Sequence, residues 1–279
     1  MPIKLSIIIL NYNVTALLRA CIASVQRYII GVSYEIIVID NHSPDTSWKV
    51  LKTEFPDVIF IEEAENKGFA FANNKAVKQA QGEYILLLNP DTELLDNQMQ
   101  NIIRFADEQE RFGCLGVRMV DAAGNFLPES KRAVPDMFNS FEKLFTNFKT
   151  NSSKSYYRND IDEKAIQPVE IITGAFFLCK RKVYEEIGGL DEAYFMYGED
   201  IDICYTLQQK GLQNWYYGAM TILHHKGEST TKDAVYLQRF YGAMQTFIDK
   251  YYRKQKPLQH LLLSFGLKFK HFLERLKLR

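Results

Sequence analysis

Short apolar runs alternate with helical periodicity through the first part of the chain. The apolar runs predict buried strands over residues 5–10, 35–40, 58–61 and 84–88. Apolar residues at helical spacing predict helices over residues 17–29, 47–55 and 70–81. Strands that alternate with helices are typical of a parallel sheet with right-handed crossovers, so we expect an α/β fold with a doubly wound sheet.

Polar residues follow the predicted strands, where each strand ends. Ligands of open α/β sheets bind in the crevice at the carboxyl ends of the strands. Convergence of polar residues at that edge therefore predicts a binding site. The residues are Asn11, Tyr12, Asp40, Asn66 to Gly68, Asn89 and Asp91.

The strand over residues 84–88 stops at the sequence Asn89-Pro90-Asp91. Proline has no N–H to donate to a sheet, so the chain must turn away there. Asp91 and Glu93 offer hard oxygen ligands, which suit Mg²⁺ or Mn²⁺ shared with a phosphate. The alternative is a plain turn after a buried strand.

The second part of the chain has a less regular pattern. We expect a helix over residues 97–109, strands over 114–120, 169–180 and 214–223, and a helix from residue 199. Residues 128–167 have weak periodicity, so we expect a long loop there that is partly helical near residues 137–148. Within it, Lys131 and Arg132 either meet an anionic ligand or form a solvated charge pair. Gly174 inside a predicted strand indicates close approach of a ligand or another backbone.

Two further groups of titratable residues are candidates for chemistry. Glu199 and Asp200 lie in the first turn of a predicted helix, where the helix dipole alone can explain two carboxylates. His224 and His225 follow the last predicted strand, and a histidine there is either structural or a metal ligand.

The C-terminal segment is basic and amphipathic. Residues 253–279 contain eight Lys and Arg and one acid, Glu274, beside an apolar stripe that begins at Leu258. Such a helix either lies on an anionic membrane or packs on protein, in this domain or in a homodimer. We therefore divide the chain into a domain over residues 1–232 and a helical extension over 233–279.

Composition narrows the function classes. The formal net charge is zero, so nothing steers the whole chain to nucleic acid. The four cysteines are far apart in apolar surroundings, which predicts buried free thiols in a reducing compartment. No apolar run approaches the ~20 residues of a membrane span, and the first run is too short for a signal peptide. We expect a cytoplasmic protein in which only the basic tail could contact a membrane.

The strand-end residues fit group transfer from a nucleotide diphosphate to an alcohol. A metal on the diphosphate stabilises the leaving group, while a carboxylate accepts the proton of the incoming hydroxyl. The chain has neither the G-x-G-x-x-G of dinucleotide-binding enzymes nor a P-loop, which argues against hydride transfer and P-loop ATP hydrolysis.

An ordered set of short motifs between about residues 5 and 229 resembles the family 2 glycosyltransferases, in particular their rhamnosyltransferase-like branch. The motifs are Ser6 to Asn13, Ile37 to Asn41, Asn66 to Phe69 with Asn73-Asn74, Leu87 to Asp91, Thr173 to Ala175, Gly188 to Glu192, Glu199 to Asp202, and His224 with Gly227 and Ser229.

The resemblance implies a GT-A fold: a mostly parallel, Rossmann-like sheet flanked by helices, with a C-terminal helical tail. It implies a nucleotide-sugar donor, a divalent metal (Mn²⁺ or Mg²⁺), inversion at the anomeric carbon and a glycan or lipid-linked acceptor. The implied base is Asp200, with Glu199 and Gly174 on the acceptor. The implied metal ligands are Asp91 and His224. The implied donor-binding residues are Leu10, Asn11, Tyr12, Asp40, Lys67, Gly68, Asn73, Asn89 and Asp91.

Two positions depart from the family pattern. Thr206 stands where the family usually has an arginine, and Asn89 replaces the first carboxylate of the metal motif. Two other functions stay open. A sugar nucleotidyltransferase needs a Gly-rich loop bearing Arg and Lys after the first strand, and residues 13–17 are not one. A catalytically inactive scaffold would bind a nucleotide sugar or a partner transferase, and retention of Asp91 and Asp200 argues against it.

Overall fold

The structure is a computed structural model and describes residues 2–134, 156–225 and 233–277. The helix predicted near residues 137–148 lies outside the described residues. The first part of the chain alternates strands and helices as predicted. Its elements are β1 (Leu5–Asn11), α1 (Thr15–Tyr28), β2 (Tyr34–Asp40), a 3₁₀ turn (Ser47–Val50) running into α2 (Leu51–Glu54), β3 (Ile59–Glu62), α3 (Phe69–Val77) and β4 (Tyr84–Leu88).

The remaining elements surround a second half of the same sheet. They are β5 (Thr92–Leu94), α4 (Met99–Glu108), β6 (Phe112–Val120), a 3₁₀ turn (Pro128–Ser130), β7 (Ile166–Pro168), β8 (Phe176–Lys180), α5 (Arg181–Glu186), α6 (Glu199–Gln209), β9 (Gln213–His224), α7 (Ala234–Tyr252) and α8 (Pro257–Lys277). The short strands β5 and β7 were not predicted, since three residues are too few to show a period.

The sheet order is β3-β2-β1-β4-β8-β6-β9-β5, with β7 paired to β9. The first four strands are parallel, which confirms the predicted α/β class. Beyond β4 the sheet becomes mixed: β8 is antiparallel to β4 and β6, and β9 is parallel to β6 but antiparallel to β5. The carboxyl ends of β1, β2 and β4 therefore meet at one edge, as expected for parallel neighbours.

The core lies on both faces of this sheet. Successive residues of a strand point to opposite faces, so Ile7 packs with helices α1 and α4 while Ile8 packs with α3 and α6. Strands buried on both faces explain why β1 and β4 are continuous apolar runs.

Two predicted elements were too long. The strand predicted over residues 169–180 begins only at Phe176, so Gly174 precedes the strand. The backbone leaves the ladder there because Ile171 pairs with Arg132 and the Gly174 N–H donates to the Asp200 side chain. Helix α3 ends at Val77, four residues early, because the backbone then continues in tighter turns.

The C-terminal helices pack as a pair against the sheet layer. Phe247 of α7 belongs to the core on the α6 face. Leu237 and Tyr241 of α7 form a separate small cluster with Leu263 and Leu267 of α8. Within the described ranges, no helix is both long and apolar enough to cross a bilayer.

All four cysteines lie in the described part of the chain and are buried and free, as predicted.

Candidate active site

Asn11 and Asp40 form the floor of the crevice at the ends of β1 and β2. The parallel register sets them side by side, and Asn11 Nδ2 donates to Asp40 Oδ1 at 2.7 Å. Ser43 donates to the same carboxylate through its hydroxyl at 2.6 Å and its N–H at 2.9 Å. Asn11 Oδ1 is buried and has no hydrogen-bond partner within the described residues, so it can accept from a ligand. Tyr12 beside it is 44% exposed, while Leu10 is half-buried.

The loop after β3 holds two predicted donor-binding residues. Lys67 is exposed and pairs with Glu65 at 2.8 Å. Gly68 has φ +97°, and a Cβ there would lie 2.5 Å from the carbonyl oxygen of Phe195. Glycine is therefore required for this loop to contact the segment before α6. The Phe69 N–H donates to the Phe195 carbonyl oxygen at 2.7 Å and stabilises this contact.

Asn73, the last predicted donor-binding residue of this region, is buried in α3. Its Nδ2 donates to the carbonyl oxygen of Phe69 at 2.9 Å. This bond accounts for Asn73 within the protein, and its contact with a donor stays a prediction.

Asp91 lies beside His224 at the end of β4. Strand β5 runs antiparallel to β9 and pairs Thr92 with His224, which brings His224 Nε2 to 3.4 Å from Asp91 Oδ1. The Asn89 N–H donates to Ala175, and the Asn89 carbonyl accepts from Thr92, so the Asn-Pro-Asp turn is held on both sides.

These side chains fit a divalent cation only as part of its coordination. Asp91 and His224 offer one carboxylate and one imidazole, and His224 Nδ1 has no hydrogen-bond partner in the described segments. The described residues contain no cluster of three His, Cys, Asp or Glu that could hold a metal. A cation here would need donor phosphate oxygens as well. An imidazole ligand would favour Mn²⁺ over Mg²⁺, because Mg²⁺ prefers oxygen ligands in octahedral geometry.

Asp200 is fixed by three hydrogen bonds in the first turn of α6. Its Oδ2 accepts from Arg132 Nη2 at 2.5 Å and from the Gly174 N–H at 3.3 Å, and its Oδ1 accepts from the Ile201 N–H at 2.8 Å. A Cβ on Gly174 would lie 3.5 Å from the Asp200 Cβ. Helix α6 starts after Tyr197 and Gly198, both at positive φ, a sharp entry that presents its first turn to the crevice.

Arg132 is the main residue of the site that sequence reasoning left undecided. Its side chain is only 11% exposed, and Nη2 also donates to the Ile172 carbonyl at 2.8 Å. Burial opposes the charge, but the Asp200 carboxylate and the Tyr156 side chain together more than offset that effect and raise the pKa of Arg132. Lys131 is buried too, donates to the Arg158 carbonyl at 2.7 Å, and has its pKa lowered by burial. The interpretation as a solvated charge pair is therefore wrong.

Glu199 differs from its neighbour Asp200. It is buried, and its Oε2 has no hydrogen-bond partner among the residues described. Burial, together with the Asp200 charge, raises the pKa of Glu199 to about 8. Glu199 is therefore mostly protonated at neutral pH and can donate a hydrogen bond, while Asp200 forms an ion pair with Arg132.

The Asn-Pro-Asp turn and the Asp200 carboxylate lie at the same edge of the sheet. Ala175 accepts the Asn89 N–H at 3.0 Å, and the preceding Gly174 donates to Asp200. Two consecutive residues thus connect the Asn-Pro-Asp turn to the carboxylate.

A separate cavity of about 510 Å³ lies on the other side of α6. It is lined by Thr206, Asp202, Asp191 and Lys250, among others. Lys250 Nζ donates to Asp202 at 2.8 Å and to Asp191 at 2.6 Å. Thr206 stands where the family usually has an arginine, and in this chain Lys250 of α7 brings a positively charged side chain to the cavity.

The comparison with known proteins agrees with this architecture. The family model Glycosyl transferase family 2 matches residues 6–188. The chain is 28% identical over 211 residues to the N-acetylglucosaminyl-diphospho-decaprenol L-rhamnosyltransferase of Mycobacterium tuberculosis, covering 71% of this chain and 68% of the relative. It is also 28% identical over 202 residues to rhamnosyltransferase WbbL of Escherichia coli (strain K12), covering 69% and 73%.

Solved structures show the same fold. GalNAc-T7 with UDP, GalNAc and Mn²⁺ superposes with a TM-score of 0.62 at 14% identity, covering 96% of this chain and 54% of that one. The mannosyltransferase PcManGT from Pyrobaculum calidifontis, in complex with GDP-Man and Mn²⁺, superposes with a TM-score of 0.62 at 16% identity, covering 97% and 76%. The predicted family and fold are therefore confirmed: the chain is a GT-A glycosyltransferase that belongs to glycosyl transferase family 2 and resembles its rhamnosyltransferases.

Proposed function

We propose that the protein transfers a sugar from a nucleotide-diphosphate sugar to a hydroxyl group of a glycan or lipid-linked glycan, with inversion and with a divalent metal. The observation that carries the proposal is the position of Asp200. Its carboxylate accepts from Arg132 and from the Gly174 N–H, and the next residue, Ala175, accepts the Asn89 N–H of the Asn-Pro-Asp turn. We place the donor in the dTDP-rhamnose or UDP-sugar class, because the relatives are named rhamnosyltransferases.

The donor side of the site binds the nucleotide. In this proposal Asn11 Oδ1 accepts from the nucleoside, and the exposed Tyr12 ring covers the base. Asp91 and His224 would hold the metal together with the diphosphate, and the metal would supply positive charge that stabilises the leaving diphosphate.

The acceptor side of the site performs the proton transfer. Asp200 accepts the proton of the acceptor hydroxyl. As it does so, the hydroxyl oxygen bonds to the anomeric carbon and the bond from that carbon to the phosphate oxygen breaks. Because attack and departure take place on opposite faces of the carbon, configuration inverts. Arg132 orients the Asp200 carboxylate, and protonated Glu199 hydrogen-bonds to the acceptor.

The lipid-linked acceptor and the domain division are parts of the same proposal. The M. tuberculosis relative is named for a diphospho-decaprenol substrate, which supports a lipid-linked acceptor here. Residues 1–232 would carry donor and acceptor sites, and residues 233–279 would support them through the bond from Lys250 to Asp202.

Nucleotide binding and transfer, measured separately on three variants, test this proposal. With UDP, dTDP or GDP at a hundred times Kd and Mn²⁺, we expect stabilisation of about 2.7 kcal/mol, seen as a rise in Tm. Asp91→Ala should lose the rise. Asp200→Asn should keep it and lose transfer by about 10²–10⁴-fold. Glu186→Gln, on the exposed face of α5, is the control.

Three results would contradict the proposal. A rise in Tm with no turnover of any donor would favour the scaffold. No rise with any nucleotide would remove the donor site. Full transfer by Asp200→Asn would remove the proposed base.

A further inference from the structure

Helix α8 exposes an apolar face. Of the sixteen large apolar residues that are exposed in the described part of the chain, eight lie on α8, exposed between 38% and 72%. At about 100° per residue they all fall within an arc of about 120°. They include Leu258, Leu261, Leu262, Phe265, Phe269 and Phe272.

The opposite face of α8 packs against α7. Leu263 is 9% exposed and Leu267 is 3% exposed, and both pack on Leu237 and Tyr241 of α7. The apolar stripe seen in the sequence is thus a second face, which no described residue covers, in addition to the packed one.

Basic side chains border this face. Lys268 and Arg275 lie on one border and Lys270 on the other, at about 80–120° from its centre at 100° per residue. Residues 253–279 contain eight basic residues and one acid. An apolar arc between basic borders is the pattern of helices that lie in the plane of a lipid–water interface.

We propose that this face of α8 docks on an anionic lipid surface. Charge complementarity selects this occupant, because anionic headgroups neutralise the basic borders while the apolar arc enters the acyl boundary. A second copy of the chain would bring two basic helices together, and like charges disfavour that contact.

Hydrogen bonds connect α8 through α7 to α6, the helix that carries Asp200. Ser264 accepts from Gln245 of α7 at 2.9 Å, and His260 contacts Asp249 at 2.6 Å. Lys250 and Tyr251 of α7 donate to Asp202 of α6, two residues after Asp200. Docking therefore sets the orientation of Asp200 to the bilayer. That consequence rests on the proposed function, whereas the docking does not.

Co-sedimentation of the full chain with vesicles tests the docking. We expect at least about tenfold stronger binding to vesicles of phosphatidylcholine with phosphatidylglycerol than to phosphatidylcholine alone, and loss of the difference at high salt. Phe265→Glu/Phe269→Glu should weaken binding at least about tenfold, because it charges the apolar face. Lys268→Glu/Arg275→Glu should abolish the preference for anionic vesicles. All four side chains are exposed, so the fold should persist.

Matched controls carry the same changes elsewhere. Ile30→Glu charges an exposed apolar residue just after α1, and Lys78→Glu/Lys182→Glu reverses two exposed charges, one just after α3 and one on α5. Both should bind vesicles like the parent chain. The nucleotide-dependent rise in Tm should be unchanged in all variants, which separates failure of docking from failure of the donor site.

Two results would overturn the proposal. Equal binding by the parent chain and Phe265→Glu/Phe269→Glu would show that this face does not dock. A parent chain that is dimeric by light scattering without vesicles, and monomeric after the same change, would make a second copy the occupant.

Discussion

The donor edge and the acceptor edge of the site are built by different means. At the donor edge, Asn11, Asp40 and Ser43 come from neighbouring parallel strand ends, at most 32 residues apart, and share neutral-to-carboxylate hydrogen bonds. At the acceptor edge, Arg132 and Asp200 are 68 residues apart and form a largely buried ion pair. Removing one hydrogen-bonding side chain from the donor edge should therefore destabilise the fold less than removing one member of the buried ion pair at the acceptor edge.

The largest expected effect is that of Arg132→Ala. This change leaves Asp200 as an uncompensated, largely buried charge, so the free energy of unfolding should fall by about 3–5 kcal/mol. Urea denaturation measures it. Lys182→Ala, which breaks an exposed pair with Glu186, is the control and should stay within about 1 kcal/mol. Equal effects of the two changes would remove the distinction between the edges.

Asp40→Ala should have an intermediate effect and act on the donor edge alone. It leaves Asn11 and Ser43 without their acceptor, at a cost of about 1–3 kcal/mol. Nucleotide binding, followed by the rise in Tm, should weaken as well, whereas Asp40→Asn should keep part of it because one acceptor oxygen remains. Unchanged nucleotide binding in Asp40→Ala would place the donor elsewhere.

Glu199 makes the acceptor edge sensitive to pH. Its folded-state pKa, raised to about 8, lies above its ordinary value in the unfolded chain, so the folded state holds a proton that the unfolded state has lost. Stability should therefore decline as pH rises from about 4.5 to about 8.

Glu199→Gln should remove this decline. At pH about 8.5 its Tm should exceed that of the parent chain by about 2–4 °C, for a gain of about 1 kcal/mol, and the gain should shrink towards pH 5. Thermal denaturation across this range measures it. A gain independent of pH would show that Glu199 is not protonated in the folded chain.

Lys67→Ala should have the smallest effect on stability. Lys67 is exposed, pairs with Glu65 and lies 5.0 Å from the centre of the Phe71 ring, so the free energy of unfolding should change by less than about 1 kcal/mol. A loss of nucleotide affinity in this variant would then report a direct contact with the donor. Unchanged affinity would remove Lys67 from the donor site.

Much of the donor edge could be predicted from sequence. Apolar runs located β1, β2 and β4, and Asp40 and Asp91 follow directly from where those runs end. The pairing of Asp91 with His224 was harder to predict, because the three-residue strand β5 that aligns them has no period of its own.

The acceptor edge could be predicted only in part. Asp200 was found from a motif, but its ion pair with Arg132 depends on an isolated bridge between Arg132 and Ile171 that leaves no local pattern. The predicted strand over residues 169–180 failed for the same reason, since a side chain of α6 takes up the Gly174 N–H.

The sequence by itself determined the longer helices and strands, the polar strand ends and the amphipathic character of the tail, because periodicity and turn chemistry act over a few neighbouring residues. Only the tertiary structure decided which charges are buried together and which apolar face of α8 stays uncovered. Both depend on contacts between segments far apart in the chain. The order of strands in the sheet and the packing of α7 set those contacts, and local preference does not encode them.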